Sequence, residues 1–311
     1  RCVMARLLSL CMAFLGIQAL VAWEFDPELL QRSPLCGTLD LEKHIASRPP
    51  PSTAAPLEGV PDSFDARTAW KNCSSIGQIR DQGPCASDWA VGAVDSLSDR
   101  FCVASNGNIS VELSSQQVVS CCYRCGVGCN GGWPNAAWQF ALEDGLVTSD
   151  TYPSAFPPCE HHGASGSYPP CTSIQPTPKC NRTSLSGNLF HAASVYAVGG
   201  GLFGVKKIQS EIMANGPVEA SMQVYEDFFG YTSGVYEHIN GSFVGGLSVR
   251  LIGWGTANST SENKPHKTVD YWLAANSWNA DWGEHGFFRI LRGKNHCGIE
   301  AGVVAGLPRL K

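Results

Sequence analysis

The fourteen cysteines restrict the fold more than any other feature, and their meaning depends on the compartment in which the chain folds. An apolar run from Leu7 to Val21 follows Met4 and ends at the small residue Ala22. The run is too short for a membrane span, so it predicts a secretory signal peptide over residues 1–22, with residues 1–3 as upstream read-through. Cysteines of an exported chain form disulfides, so the set predicts a stapled fold.

Export also decides between two interpretations of the pair Cys122 and Cys125, which would suggest a zinc site only in a cytosolic protein. Glycosylation sequons agree with export and begin at Asn72, Asn108, Asn181, Asn240 and Asn258. The sequence therefore predicts a disulfide-bonded glycoprotein of the secretory pathway, lysosomal or extracellular.

The composition indicates a folded protein that does not bind nucleic acid, and no cofactor is predicted. Hydrophobic residues make up 43% of the 311 residues and charged ones 16%, enough to bury a substantial core. The net charge of −5 and the absence of a basic stripe argue against nucleic acid as a partner. We expect a monomer with no stable membrane span.

The chain divides into a short leading segment and one large domain. Residues 23–59 form a propeptide-like segment that ends in a proline-rich linker, and residues 60–311 form the domain. Helical patterning dominates residues 81–146, whereas residues 150–188 form a long loop that needs disulfides to stay ordered. We predict a helix near residues 205–214, then strands near residues 218–224, 249–254, 271–275 and 287–291. This order predicts an α+β fold.

The stretch from Asp81 to Ala90 turns the chain and starts a helix. Gly83 is a turn residue, and Ser87 is a plausible N-cap. One helical face then carries Ala90, Val94, Leu97 and Phe101. Asp88 lies in the first turn, where the unpaired N–H groups of a helix favour an anion.

Seven ordered motifs resemble the cathepsin B branch of the papain family of cysteine peptidases. They begin at Val60 (VPDSFDAR), Ile79 (IRDQGPC), Cys129 (CNGG), Pro158 (PCEHH), Gly253 (GWG), Asn276 (NSWN) and Cys297 (CGIE). The resemblance implies a two-subdomain fold, with a helical left half, a β-barrel right half and an active-site cleft between them. Residues 35–38 (LCGT) also resemble the end of the family's propeptide. Most of that propeptide's helical front is missing, which argues against autoinhibition by this segment.

The resemblance assigns the catalytic positions and shows that two of them are replaced. The family signature around the nucleophile is C-G-[SA]-C-[WY], but residues 85–89 read CASDW, which places Asp88 at the nucleophile position. Leu247 stands at the histidine position. The supporting positions remain: Gln82 for the oxyanion, Asn276 for orienting the histidine and Trp278 for shielding that pair. The resemblance therefore implies a site without its nucleophile and base.

Three other residues could replace the missing chemistry, and the sequence favours none of them. Ser248 is the nearest polar residue to Leu247, but alternation along a strand predicts that it points away from the cleft. His238 is expected to be a solvated surface histidine. Asp81 would be the second carboxylate of an aspartic-protease pair with Asp88, but it is separated by a turn and resembles an ordinary family position.

The same resemblance predicts the substrate-binding positions. His161 and His162 lie in the occluding-loop region and would meet the carboxylate at the C-terminus of a peptide. The backbone of Gly131 and Gly132 would pair with a peptide as an added strand. Gly302 stands where cathepsin B has an acid, so the principal pocket should be more open and should favour arginine little.

The resemblance also implies the disulfide framework. The implied pairs are Cys73–Cys102, Cys85–Cys129, Cys121–Cys180, Cys122–Cys125 and Cys159–Cys171. Cys297 is left as a free thiol at a structural position. Thr151 and Ser184 replace a further disulfide at the base of the loop, so the loop should swing more freely.

These predictions support one main function and leave alternatives open. The main hypothesis is a pseudopeptidase that binds peptides or cystatin-like inhibitors without cutting them. The alternatives are an active cysteine peptidase, as the family implies, and a decayed copy with a stable fold and no selected role. A further alternative is a cleft in which Asp88, His161 and His162 bind zinc or copper, although no metal is part of the main hypothesis.

Overall fold

The computed structural model describes residues 36–47, 49–52, 55–161, 166–171, 173–185, 187–199, 204–258 and 268–310. The signal-peptide prediction lies outside these residues. The secondary structure follows the sequence patterns closely, although several elements are longer than predicted. One described helix, for example, covers Gly204–Asn215, and the strand that follows it covers Val218–Tyr225.

The helical half is built around one long, buried helix. Its helices are α1 (Leu41–Ala46), α2 (Ala66–Ala69), α3 (Asp88–Ala104), α4 (Ser115–Cys121) and α5 (Pro134–Glu143). Ser87 is the N-cap of α3, but its side chain forms no cap hydrogen bond. Asp88 is the acidic residue of the first turn. Residues from Asp88 to Cys102 are all buried, because α3 packs against helices on one side and against the sheet on the other.

The second half is an open, mainly antiparallel sheet. Its strands are β1 (Phe64–Asp65), β2 (Tyr196–Ala197), β3 (Val218–Tyr225), β4 (Val235–Tyr236), β5 (Phe243–Asn258), β6 (Thr268–Ala275), β7 (Phe287–Leu291) and β8 (Gly302–Ala305). The strand order is β2-β8-β3-β5-β6-β7-β4, and β1 pairs with β5. Helices α6 (Gly204–Asn215) and α7 (Glu226–Phe229) flank β3 in the chain.

The prediction of a β-barrel is wrong, because the two ends of the sheet do not meet. Strands β2 and β4 are two residues long, β2 pairs only with β8, and β4 pairs only with β7. A barrel needs its end strands to pair with each other. The helices and the sheet agree with the prediction of an α+β fold in two parts.

Strand β5 joins the two halves because its two faces have different partners. Leu247, Val249 and Leu251 belong to the core of the β half. The alternating side chains face α3, and there the Arg250 guanidinium bonds Asp99 at 2.7 Å. Burial raises the pKa of Asp99 to about 6, against the charge of Arg250, which lowers it. The Ser248 amide donates to Asp88, so the first residue of α3 lies beside the first half of β5.

The structure contains the five disulfides that the resemblance implies. They join Cys73 to Cys102, Cys85 to Cys129, Cys121 to Cys180, Cys122 to Cys125 and Cys159 to Cys171. Cys36 and Cys297 are thiols outside these pairs. Within the described residues, no helix is both long enough and apolar enough to cross a membrane.

Candidate active site

Asp88 is the first residue of α3, and it is completely buried. Its Oδ1 accepts hydrogen bonds from the Ser248 amide at 2.8 Å and from the Thr38 hydroxyl at 2.9 Å. Its Oδ2 accepts a hydrogen bond from the Gly37 amide. Burial raises the pKa of Asp88 to about 7, although all three donors pull it down. The position implied for a nucleophile thus holds a carboxyl group with both oxygens already bonded.

Leu247 lies on the other face of β5 from the side chains that face α3. It is fully buried and belongs to the same hydrophobic cluster as Trp278. The histidine that the family has at this position can accept and donate a proton. Leucine only adds apolar packing and cannot do so. No imidazole in the described residues is bonded to Asp88.

The prediction that Ser248 points away from the cleft is wrong. Its hydroxyl lies 2.9 Å from that of Thr38, within the cleft, and 3.1 Å from that of Ser221 on β3. Alternation along the strand places Ser248 and Leu247 on opposite faces of β5, as predicted. The face that carries Ser248 is the one beside Asp88. The pattern predicted opposite faces correctly and assigned the wrong one to the cleft.

A second buried acid lies behind this cluster of hydroxyls. Glu219 on β3 is fully buried, and its Oε2 accepts a hydrogen bond from the Trp138 indole at 2.8 Å. Burial raises the pKa of Glu219 well above its usual range, and the charge of Asp88 raises it further. Because two nearby carboxylates in a dry interior repel each other, the pair favours holding at least one proton.

The supporting positions of a papain-like site keep the residues that the resemblance implies. The Gln82 amide donates to the Cys85 carbonyl at 3.0 Å, and its oxygen accepts from the Ser277 hydroxyl at 2.6 Å. Asn276 is 5% exposed, and its Nδ2 has no hydrogen-bond partner among the described residues. Its Oδ1, the acceptor that would orient an imidazole N–H, accepts from the Ser277 amide at 2.8 Å. Trp278 remains fully buried.

The cleft is occupied by the segment that precedes the domain. Gly132 donates its amide to the Gly37 carbonyl at 2.8 Å, and the Leu39 amide donates to the Gly132 carbonyl at 3.0 Å. The Thr38 amide donates to the Gly246 carbonyl at 3.0 Å on the opposite wall. This is the added-strand pairing that was predicted for a peptide substrate, and here the chain itself supplies the peptide. The expectation that this segment does not autoinhibit the protein stays a prediction, although the segment lies in the cleft.

The pocket around Gly302 is also filled from this segment. A Cβ atom added to Gly302 would lie 3.1 Å from Cβ of Ser221 and 3.5 Å from Cδ1 of Leu41. Leu41 is the first residue of α1. The absence of an acid at residue 302 is consistent with the apolar residue that lies above it.

The loop histidine His161 is an anchor of the loop in this structure. It is 3% exposed, its Nε2 lies 2.8 Å from Oδ1 of Asp81, and its ring stacks on Trp278 with centroids 6.1 Å apart. Asp81 also accepts from the amides of Gly83 and Cys159. The structure therefore does not present His161 to a peptide carboxylate, and Asp81 is engaged in holding the loop. His162 lies outside the described residues.

The described residues do not assemble the metal site suggested for Asp88. One group of candidate ligands has its ligand atoms within 4.8 Å of one another, and it consists of Cys159, His161 and Cys171. Two of these three residues are joined by a disulfide, so their sulfurs are not thiolate ligands. Asp88 belongs to no such group within the part of the chain that was searched.

Cys297 and His238 lie near each other, away from Asp88. Burial raises the pKa of the Cys297 thiol to about 12, and the charge of Asp227 adds to this, so the thiol is a poor nucleophile. His238 is half-buried rather than solvated: its Nδ1 lies 3.1 Å from Asp227, and its ring stacks on Tyr225 at 3.7 Å. Neither residue supplies the missing chemistry.

Thr151 and Ser184, which stand where the resemblance implied a lost disulfide, each form a local side-chain hydrogen bond on their own side of the loop base. The Thr151 hydroxyl lies 3.0 Å from that of Thr148, and the Asn181 amide donates to the Ser184 hydroxyl at 3.0 Å. The greater freedom expected of the loop stays a prediction.

Sequence reasoning missed the residues that hold Asp88. The bond from Gly37 spans 51 positions and the bond from Ser248 spans 160, so no local pattern could reveal either. The one available signal was the similarity of residues 35–38 to a propeptide end, which places Gly37 and Thr38 near a cleft.

Comparison with known proteins agrees with this geometry. Residues 60–307 match the family described as Papain family cysteine protease. The chain is 47% identical over 267 residues to Cathepsin B-like cysteine proteinase 6 of Caenorhabditis elegans, covering 81% of this chain and 67% of that protein. It is 46% identical to the Cathepsin B-like cysteine proteinase of Schistosoma japonicum, covering 80% of this chain and 73% of that one.

Solved structures with the same fold include proforms. The structure of proCathepsin B S9 from Trypanosoma congolense matches with a TM-score of 0.75 and 35% identity, over 89% of this chain and 88% of that one. Digestive procathepsin L 3 of Tenebrio molitor matches with a TM-score of 0.64 over 90% of this chain and 78% of that one; its identity of 20% bears on the fold alone.

Proposed function

The chain belongs to the papain family of cysteine peptidases, and we propose that it is a cathepsin B-like member that binds peptides without cleaving them. The observation that carries the proposal is Asp88, a buried carboxyl group with both oxygens bonded, at the position implied for the thiolate. Leu247 supports it, because a leucine in the apolar core cannot act as the base that any nucleophile would need.

Chemistry argues against turnover by the residues that are present. A carboxylate attacks an amide poorly, and nothing bonded to Asp88 can protonate the leaving amine. General acid–base assistance alone contributes about 10²- to 10⁴-fold, and the loss of the thiolate is added to that deficit. The Gln82 amide is also engaged by the Cys85 carbonyl, so the oxyanion donor is not free to face a substrate.

Peptide binding is the part of the family's function that this cleft still supports. The walls formed by Gly132 and Gly246 hold an extended backbone through amide and carbonyl groups and need no catalytic residue. Cystatin-like inhibitors, which would enter the same cleft, are the protein partners that we propose, and the secretory pathway is the compartment. The leader pattern and the five disulfides support that compartment.

The test compares the purified protein with a variant in which the family's residues are restored. We expect no release of fluorophore from dipeptidyl or endopeptidase substrates by the wild type, and measurable release by the double variant Asp88→Cys, Leu247→His. Each single variant is a control, because a thiol without an imidazole, or an imidazole without a thiol, should stay inactive. Turnover by the wild type that is lost in Asp88→Ala would refute the proposal.

A further inference from the structure

We infer that Asp88 makes the cleft a receptor for a glycine followed by a hydroxyl residue, and that the chain's own Gly37 and Thr38 are its resident ligand. The inference rests on the proposed non-catalytic function, because it assigns to Asp88 a binding role in place of a chemical one. The ligand class is therefore an extended peptide containing Gly-Thr or Gly-Ser.

The carboxyl group of Asp88 reads two neighbouring residues of the peptide at once. Its Oδ2 accepts from the Gly37 amide, while its Oδ1 accepts from the Thr38 hydroxyl at 2.9 Å. The Ser248 amide donates to Oδ1 at 2.8 Å and fixes the carboxyl group from the side of the sheet. A thiol offers one weak acceptor, whereas a carboxylate offers two strong ones, so this double contact depends on the aspartate.

Only glycine fits the first position of this peptide. A Cβ atom on Gly37 would come within 2.7 Å of Oδ2 of Asp88 and closer still to the carbonyl group of Ala86. Backbone atoms cannot move aside as a flexible side chain can, so alanine at this position would push the peptide out of the site. The cleft walls show the same close approach, since a Cβ on Gly131 or Gly246 would lie 2.5 Å from a carbonyl oxygen of the peptide.

The second position is read by a chain of hydroxyl groups. The Thr38 hydroxyl lies between Oδ1 of Asp88 and the Ser248 hydroxyl, at 2.9 Å from each, and Ser248 lies 3.1 Å from the Ser221 hydroxyl. A hydroxyl can donate to one neighbour and accept from the other, so the arrangement satisfies every member. Valine has the same shape but would leave Asp88 and Ser248 each without one buried partner.

The next residues add apolar contacts to the recognition. The side chain of Leu39 lies against Gly131, and Leu41 lies over Gly302. Because glycine has no Cβ, both positions leave room for these leucine side chains. The resident ligand thus presents glycine, a hydroxyl residue and a leucine in sequence, held on both sides by backbone hydrogen bonds.

Amide hydrogen exchange of the full-length protein, measured residue by residue, tests this inference. The informative amides are those of Thr38 and Leu39, because they bond the cleft walls and not Asp88. Their exchange therefore reports release of the whole segment and not the loss of a single bond. We expect at least tenfold faster exchange at both in Asp88→Ala, because the hydrogen bonds of Gly37 and Thr38 to the buried carboxyl group are lost.

Matched variants separate recognition from general destabilisation. Gly37→Ala should accelerate both amides as Asp88→Ala does, whereas Gly77→Ala, which has open space around its added Cβ, should not. Thr38→Val should also accelerate the Leu39 amide, whereas Thr38→Ser should restore the wild-type rate. If Asp88→Ala fails to fold, the Thr38 pair still decides, since it alters only the ligand.

Binding in trans provides an independent readout on the full-length Gly37→Ala variant, whose own segment is displaced. A synthetic peptide of residues 36–47, with serine replacing Cys36, should bind at least tenfold more tightly than the same peptide carrying Gly37→Ala or Thr38→Val. Wild-type exchange rates in Asp88→Ala and Thr38→Val, or equal affinities for the three peptides, would overturn the inference. Either result leaves the absence of peptidase turnover untouched, so the two proposals fail separately.

Discussion

The buried carboxyl group of Asp88 should make the stability of the protein fall as the pH rises from acidic to neutral. Burial raises the pKa of Asp88 from 3.8 to about 7, so the folded state keeps a proton that the unfolded chain has already lost. Stability is therefore greatest below the unfolded pKa, declines as the pH rises between the two values and is constant above the folded one. A shift of about three pKa units corresponds to about 4 kcal/mol of unfolding free energy.

Asp88→Asn isolates this contribution because asparagine has the same shape and does not titrate. We expect wild-type unfolding free energy, measured by urea titration with the disulfides intact, to fall by about 4 kcal/mol more than that of Asp88→Asn between about pH 4 and about pH 8. Other groups contribute equally to both proteins and cancel, except Glu219, whose pKa is raised partly by the charge of Asp88. The measured difference therefore belongs to the pair of acids.

Two outcomes would decide the matter. Gly77→Ala, which changes no ionisable group and has open space around its added Cβ, should run parallel to the wild type at both pH values. Parallel curves for Asp88→Asn and the wild type, within about 1 kcal/mol, would show that Asp88 is ionised in the folded protein over this range and would refute the reasoning from burial.

Three further experiments test the core of the β half, the buried ion pair of Arg250 and the free thiol of Cys297. Leu247→Ala should lower the unfolding free energy by about 2 to 5 kcal/mol in the same urea assay, because it opens a cavity in the core of the β half. Arg250→Leu should cost about 3 to 5 kcal/mol at neutral pH, because it leaves the buried Asp99 without its charge partner, and Asp99→Asn combined with it should recover part of the loss. Alkylation of Cys297, followed by mass spectrometry at about pH 8, should be about a thousandfold slower than that of an exposed cysteine, because little thiolate is present.

The sequence predicted the parts of the fold that local patterns control. The apolar face of α3 and the strand-like runs that become β3 and β7 each appear within a few turns or residues, and the structure contains these elements close to the expected bounds. Closure of the sheet is a different matter, because it depends on whether the short end strands β2 and β4 find each other. Nothing in either two-residue strand encodes that outcome.

The site was predictable in its parts and not in its connections. The resemblance assigned Asp88, Leu247 and Asn276 to the catalytic positions of one cleft through the motifs around them, and that assignment stays a prediction. The direction of Ser248 failed because alternation along a strand gives relative faces only, and the face beside Asp88 is set by how α3 packs on β5. The role of Thr38 was hidden because its bond to Asp88 spans 50 positions.

The pattern of polar and apolar residues at the site bears on whether the cleft is a decayed remnant. An unpaired carboxyl group in a dry interior is costly, so a buried carboxyl group at a helix N-terminus needs donors for both of its oxygens. Here each oxygen of Asp88 has a donor, and two of the three donors, Gly37 and Thr38, come from a segment outside the matched domain. Leu247, by contrast, faces only apolar neighbours. A carboxyl group on the polar face and a leucine on the apolar face of one strand form a consistent arrangement, which favours a maintained binding site over a site in decay.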